Sequence, residues 1–279
     1  MSFRIVVDSC CELTEEMQKD PRVVVAPLTL EVGGETILDD ETFDQKSFLK
    51  KVADCPDCPK SACPSPEYFQ KAFQEGGERC YAVTLSAELS GSYNSAMLGK
   101  NLALEEDESK KIYVFNSRSA SIGETLIAKK ILECEAQGME FEQLVETVEA
   151  YIAGQHTYFV LENLETLRKN GRLSKVKALV ASALKIKPVM GATPDGTIMQ
   201  LDQARGINKA LMKMVDYIAA EAEQAEEKTL AISHCNCPER AEIVKEALME
   251  KIPVKDIFVL DTRGVSSMYA NDGGIIVVL

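Results

Sequence analysis

Three polar, small-residue-rich segments carry the residue types from which an anion site can be built. They are Asp8-Ser9-Cys10-Cys11, Ser86-Ala87-Glu88-Leu89-Ser90-Gly91-Ser92 and Asn116-Ser117-Arg118-Ser119-Ala120-Ser121, and each follows a strand-like run. A fourth, Ser61-Ala62-Cys63-Pro64-Ser65, precedes a helix signal instead. Small hydroxyl residues at a helix start offer free backbone N–H groups and a favourable helix dipole to a negative group. The same serines serve equally as caps and turn residues, and both readings stand at this level. Open α/β sheets bind ligands outside the carboxyl ends of their strands, which is where three of the segments fall.

Catalytic constellations are thin. The chain has two histidines, His156 and His234, both at strand edges. It lacks G-x-S-x-G, G-x-x-x-x-G-K-[ST] and G-x-G-x-x-G, so a nucleophile elbow, a phosphate loop and a dinucleotide fold have no fingerprint. Asp39-Asp40-Glu41 reads as a solvated turn. Nine cysteines, an odd number, read as reduced thiols. Cys55-x-x-Cys58 and His234-Cys235-Asn236-Cys237 would suit zinc only if folding brought them together. A binding protein is therefore favoured. The alternatives are a small-molecule enzyme acting on an anionic substrate through Ser90 or Asp8, and a cysteine-based metal or redox protein.

Hydrophobic periodicity supplies the elements that must hold these segments. Strands are expected over 4–7, 23–26, 80–85 and 112–115, with helices over 13–19, 48–52, 93–104, 122–137 and 141–152. Leu28 to Val32, Gly33-Gly34 and Thr36 to Leu38 read as a hairpin. Ser65-Pro66 is a serine N-cap followed by proline at the first helical position. Such alternation predicts a mostly parallel sheet with helices on both faces. After Gly154 the style changes, so the expected division is an N-terminal α/β domain over 1–154 and a C-terminal one over 155–279, with a ligand cleft between them. Asp195-Gly196, between runs 187–191 and 197–202, is the strongest hairpin signal. With strands over 158–161, 230–233, 257–260 and 275–279 and helices over 164–169, 173–184, 208–223 and 238–248, it predicts a mixed or antiparallel sheet with helices.

The 279 residues carry 31 basic and 44 acidic side chains, a net charge of −13. That balance disfavours nucleic acid. Yet residues 166–194 hold seven basic side chains and no acid. This island, with Arg172 inside it, suits an anionic ligand, a transient contact with an anionic membrane surface or an acidic partner. The first residues form no signal-peptide core and no run reaches membrane-spanning length, so a cytoplasmic location is expected.

Several motifs in order resemble the DegV family, which includes the fatty-acid-binding subunits of bacterial fatty acid kinase. They are Ile5-Val6-Val7-Asp8-Ser9, Ala26-Pro27-Leu28-Thr29 with Gly33-Gly34, and Ser61-Ala62-Cys63-Pro64-Ser65-Pro66. Leu89-Ser90-Gly91-Ser92-Tyr93-Asn94-Ser95-Ala96 is the most specific. Asn116 to Gly123, Leu161 to Lys175, Lys187-Pro188 and Arg205-Gly206 follow. The resemblance implies a two-domain α/β protein that is no enzyme itself and uses no cofactor. It would hold one long-chain fatty acid in an apolar inter-domain tunnel and present its carboxylate to a separate kinase. Carried onto this chain, the carboxylate contacts fall on Ser61, Ser90 and Arg172, with backbone N–H groups of Gly91 and Ser92. Asp8, Ser9, Ser117 and Ser119 are further cleft candidates. Near the C-terminus, Tyr269 stands where the family commonly has a histidine. A phenol donates one hydrogen bond but does not titrate near neutral pH as imidazole does.

Overall fold

The computed structural model describes residues 2–174, 176 and 185–279. Most of the helix expected over 173–184, with Lys175 and Lys177, lies outside the described residues. The first half runs β1 (Phe3–Asp8), α1 (Glu15–Lys19), β2 (Val23–Ala26), β3 (Thr29–Val32), β4 (Glu35–Leu38), α2 (Gln45–Asp54) and β5 (Lys60–Ala62). It continues through α3 (Pro66–Gln74), β6 (Arg79–Thr84), α4 (Ser92–Glu106), β7 (Lys111–Asn116), α5 (Ile122–Ala136) and α6 (Phe141–Ala153). The second half runs β8 (Thr157–Val160), α7 (Glu165–Lys169), β9 (Ile186–Ala192), β10 (Ile198–Arg205), α8 (Ile207–Glu221) and β11 (Thr229–His234). It ends with α9 (Pro238–Met249), β12 (Asp256–Asp261), α10 (Gly264–Ala270) and β13 (Ile275–Val278).

The first sheet has the order β2-β1-β6-β7 and is parallel throughout. Both of its faces are covered, and the strand period of two explains how. Val6, Ala82 and Val114 meet Phe69, Phe73 and Ala96 of α3 and α4. Ile5, Val7, Tyr81 and Val83 meet Ile127, Ile131, Leu144 and Val148 of α5 and α6. The helix starts follow the sequence: Ser65 Oγ accepts from Tyr68 N, with Pro66 behind it.

The second sheet has the order β10-β9-β8-β13-β11-β12 and is mixed, with only β11 and β12 parallel. Helices α8 and α9 cover one face through Leu211, Met214, Val215, Val244 and Leu248. The opposite face packs Ala231 and Val278 on Ile122 and Leu126 of α5. Helix α5 is thus buried between the two sheets. That accounts for its long apolar run and its buried Glu124.

A third, small antiparallel sheet, β4-β3-β5, was only half anticipated. The hairpin is the expected one, but the segment before the Ser65-Pro66 helix start adds a strand: Lys60–Ala62 pairs with β3, Ser61 opposite Leu30. A three-residue strand carries too little periodicity to register in the sequence.

Candidate functional site

The two larger sheets close on a cavity of about 850 Å³, its mouth included. One wall comes from segments beyond the carboxyl ends of β6 and β7: Leu85, Leu89 and Ser90, then Arg118 to Ser121. The other is the α5-side face of the second sheet, through Thr157, Phe159, Ile198 and Ile276. Helix α10 closes a side with Val265, Ser266, Tyr269 and Ala270. Thr157 and Leu161 both line the cavity, and four residues of extended chain span ~13 Å. The interior is therefore deep as well as apolar.

Four expected head-group residues from distant parts of the chain meet here. Ser61 comes from β5, Ser90 from the turn before α4, Arg172 from just after α7 and Tyr269 from α10, and all four line the cavity. Tyr269 Oη lies 3.2 Å from Ser61 Oγ. The Arg172 guanidinium stands 5.7 Å from the Tyr269 ring centre. Arg172 is braced by donating from Nε to Leu89 O at 3.1 Å and from Nη1 to Asn170 O at 2.5 Å. Burial pushes the Tyr269 phenol up from its ordinary value, so it stays a neutral donor around neutral pH.

Other expected contacts fall elsewhere. The Ser92 N–H is not free for a ligand: it donates to Ser90 Oγ at 3.2 Å, so Ser90 acts as a cap for the start of α4. Ser92 itself is fully buried, and Gly91 is the exposed N-cap residue outside the cavity lining. Ser9 is spent on structure, donating to Asp39 Oδ2 and accepting from Leu28 N. Ser117 Oγ donates to Ser119 O within its own turn. Ser119 does line the cavity, and its hydroxyl pairs with that of Thr157 at 2.6 Å.

Asp8 lies outside the lining, wholly buried, and accepts from Cys10 N at 3.1 Å and Leu85 N at 2.9 Å. Its neighbour is the equally buried Glu124. Burial, then the charge of Asp8, pushes the Glu124 carboxyl well up. Among the described residues, the metal-sized group of ligand atoms is Asp8, Cys10 and Glu124, within 4.8 Å of one another. The Cys55/Cys58 and Cys235/Cys237 pairs are not gathered into one.

Sequence reasoning missed two kinds of residue. Thr157, Phe159, Ile198 and Val265 look like ordinary core positions until two sheets face each other. Asp39, in a stretch whose sequence reads as a solvated turn, is 2% exposed and accepts from Ser9 Oγ, Gly264 N and Val265 N. No local pattern marks that burial, because its partners lie far along the chain.

The fold and cavity define an α/β protein with an apolar cleft and a hydroxyl–arginine–phenol cluster in its wall. The chain belongs to the DegV family: residues 2–279 match the family model described as DegV family COG1307. A DegV-family protein from Ruminococcus gnavus, refined with vaccenic acid, is 55% identical, with a TM-score of 0.97 and full coverage of both chains. The Streptococcus pneumoniae Fatty Acid Kinase (Fak) B3 protein, loaded with linoleic acid, is 33% identical, with a TM-score of 0.90, covering 100% of this chain and 99% of that one. A DegV domain-containing protein of the same organism is 34% identical over 278 residues, 99% of this chain and 98% of its own. Among the described residues no helix is long and apolar enough to cross a membrane.

Proposed function

We propose that this chain binds one long-chain fatty acid in the cleft and presents its carboxylate to a separate kinase subunit for acyl-phosphate formation, without chemistry of its own. The observation that carries this is one deep apolar cavity with Ser61, Ser90, Arg172 and Tyr269 together in its wall. The ligands named for the Ruminococcus gnavus and Fak B3 relatives support the same class. In this reading the domains divide near residue 154, and the protein works in the cytoplasm.

The energetics suit a lipid. Burying about 14 methylenes yields roughly 11 kcal/mol at ~0.8 kcal/mol each. Association and chain ordering remove several kcal/mol or more, which leaves room for micromolar or tighter binding. Arg172 and the hydroxyls offset the desolvation of the carboxylate.

A transient membrane contact through residues 166–194 is part of the proposal. Its basic excess is smaller in space than in sequence, because Arg168 pairs with Glu165 and Lys187 with Glu162. Lys169 and Lys185 are exposed. Native mass spectrometry of the purified protein tests the central claim. The expected result is one bound or exchangeable acyl chain per protein, and its absence overturns the reading.

A further inference from the structure

Helix α10 brings Tyr269 to the cavity, yet it is only seven residues long, too short to hold a position by its own hydrogen bonds. Its first N–H groups are held by a pair of carboxyls from the first half of the chain. Asp39 Oδ1 accepts from Gly264 N at 2.9 Å and Asp39 Oδ2 from Val265 N at 2.8 Å. Glu12 Oε2 accepts from the preceding N–H, that of Arg263, at 2.9 Å. Three successive N–H groups at the start of α10 are thus held across 225 or more residues of sequence.

Each carboxyl is braced in turn. Ser9 Oγ donates to Asp39 Oδ2 at 2.9 Å, and Ser121 Oγ donates to Glu12 Oε1 at 3.0 Å. Position 264 is glycine for a spatial reason: a Cβ there would overlap the Asp39 carboxyl. Tyr269 sits little more than one helical turn beyond the clamp, about 6–7 Å along the axis. A small rotation at residues 263–265 therefore moves its hydroxyl away from Ser61.

We propose that Asp39 is a positioning residue for the head-group site: by gripping the start of α10 it sets where the Tyr269 hydroxyl stands relative to Ser61. The inference rests on the fatty-acid reading for its effect on affinity, but the position of Tyr269 can be read without any ligand. Asp39 itself does not line the cavity.

The test compares Asp39→Asn, which keeps one accepting oxygen, with Asp39→Ala, which keeps none, and with Gly264→Ala, which displaces the clamp from the other side. The probe is vaccenate. Ligand-free protein is first measured by NMR of labelled tyrosine rings, with the Tyr269 signal assigned through Tyr269→Phe. The expected result is a shifted Tyr269 signal in all three variants, smallest in Asp39→Asn. Vaccenate affinity should fall about fivefold in Asp39→Ala but less than about twofold when the same change is made in the Tyr269→Phe background, the non-additivity of residues acting in series.

An unmoved Tyr269 signal, or equal losses in both backgrounds, overturns the proposal. If Asp39→Ala fails to fold, Gly264→Ala and Asp39→Asn decide it by the same two readouts. If the parent protein binds no vaccenate, the function proposal falls, and the ring signal alone still supports or overturns the positioning role.

Discussion

Tyr269 Oη lies 3.2 Å from Ser61 Oγ, with the Arg172 guanidinium over the Tyr269 ring. The three groups differ in what they can give an anion. Arginine brings fixed charge and a planar fork of donors, while the two hydroxyls bring one rotatable proton each.

Removing the charge should cost most. Arg172→Ala is expected to weaken fatty-acid binding about 10- to 150-fold, the equivalent of ~1.5–3 kcal/mol for a charged hydrogen bond. Part of the loss comes from the released Leu89 carbonyl, which Arg172 now holds. Displacement of a fluorescent fatty acid measures the effect, and an unchanged affinity would place the head group elsewhere.

Tyr269→Phe keeps the ring under Arg172 and removes one hydroxyl. Affinity should fall only about fivefold, near 1 kcal/mol. Because burial keeps the phenol neutral, Tyr269 itself adds no pH dependence around neutrality. Tyr269→His should add one, with tighter binding below a midpoint near ~6.5, where imidazole becomes a cation. Titration of affinity against pH in parent and variant checks this.

The depth of the cleft can be probed by filling it. Ala192 lines the wall at the end of β9, one ladder position beyond the Gly191–Tyr158 pair with β8. Ala192→Phe should reduce affinity for vaccenate by about tenfold or more while sparing much shorter fatty acids, because inserted bulk in a packed site costs ~1–3 kcal/mol. Equal losses for short and long chains would show that the tail does not reach Ala192.

Folding stability should rise as pH falls from about 8 towards 5. Burial pushes the Glu12 carboxyl up to about 8 and that of Asp39 up to about 6. The native state therefore binds protons more tightly than the unfolded chain. This stabilisation is complete below the unfolded pKa values near 4 and is lost as pH rises through the folded ones. A protonated Glu12 still accepts from Arg263 N through its carbonyl oxygen. Glu12→Gln should flatten the upper part of the profile between about pH 6 and 8.5, read as melting temperature against pH. A parent profile that is flat or rises towards pH 8 contradicts this.

The sequence by itself determined the local elements and the family. The unbroken apolar run Ile5-Val6-Val7 had to be a strand buried on both faces, Ser65-Pro66 had to start a helix, and Asp195-Gly196 had to turn a hairpin, because these choices depend on neighbours a few residues away. Motif order around Ser90 and Arg172 gave the family. What the tertiary structure decided was which polar groups face the cleft and which hold it together. β13, last in the chain, inserts between β8 and β11, a pairing no local pattern specifies. Ser61 and Tyr269 meet only because β5 pairs with β3 and α10 packs across the halves. Asp8, Ser9 and Ser92 look as available as Ser90 in sequence, yet of the four only Ser90 reaches the cavity wall. Asp39, an acid in an ordinary-looking turn, is buried against an N–H pair 225 residues away. Short-range physics writes the elements into sequence, but the partner of a buried polar group is set by long-range packing.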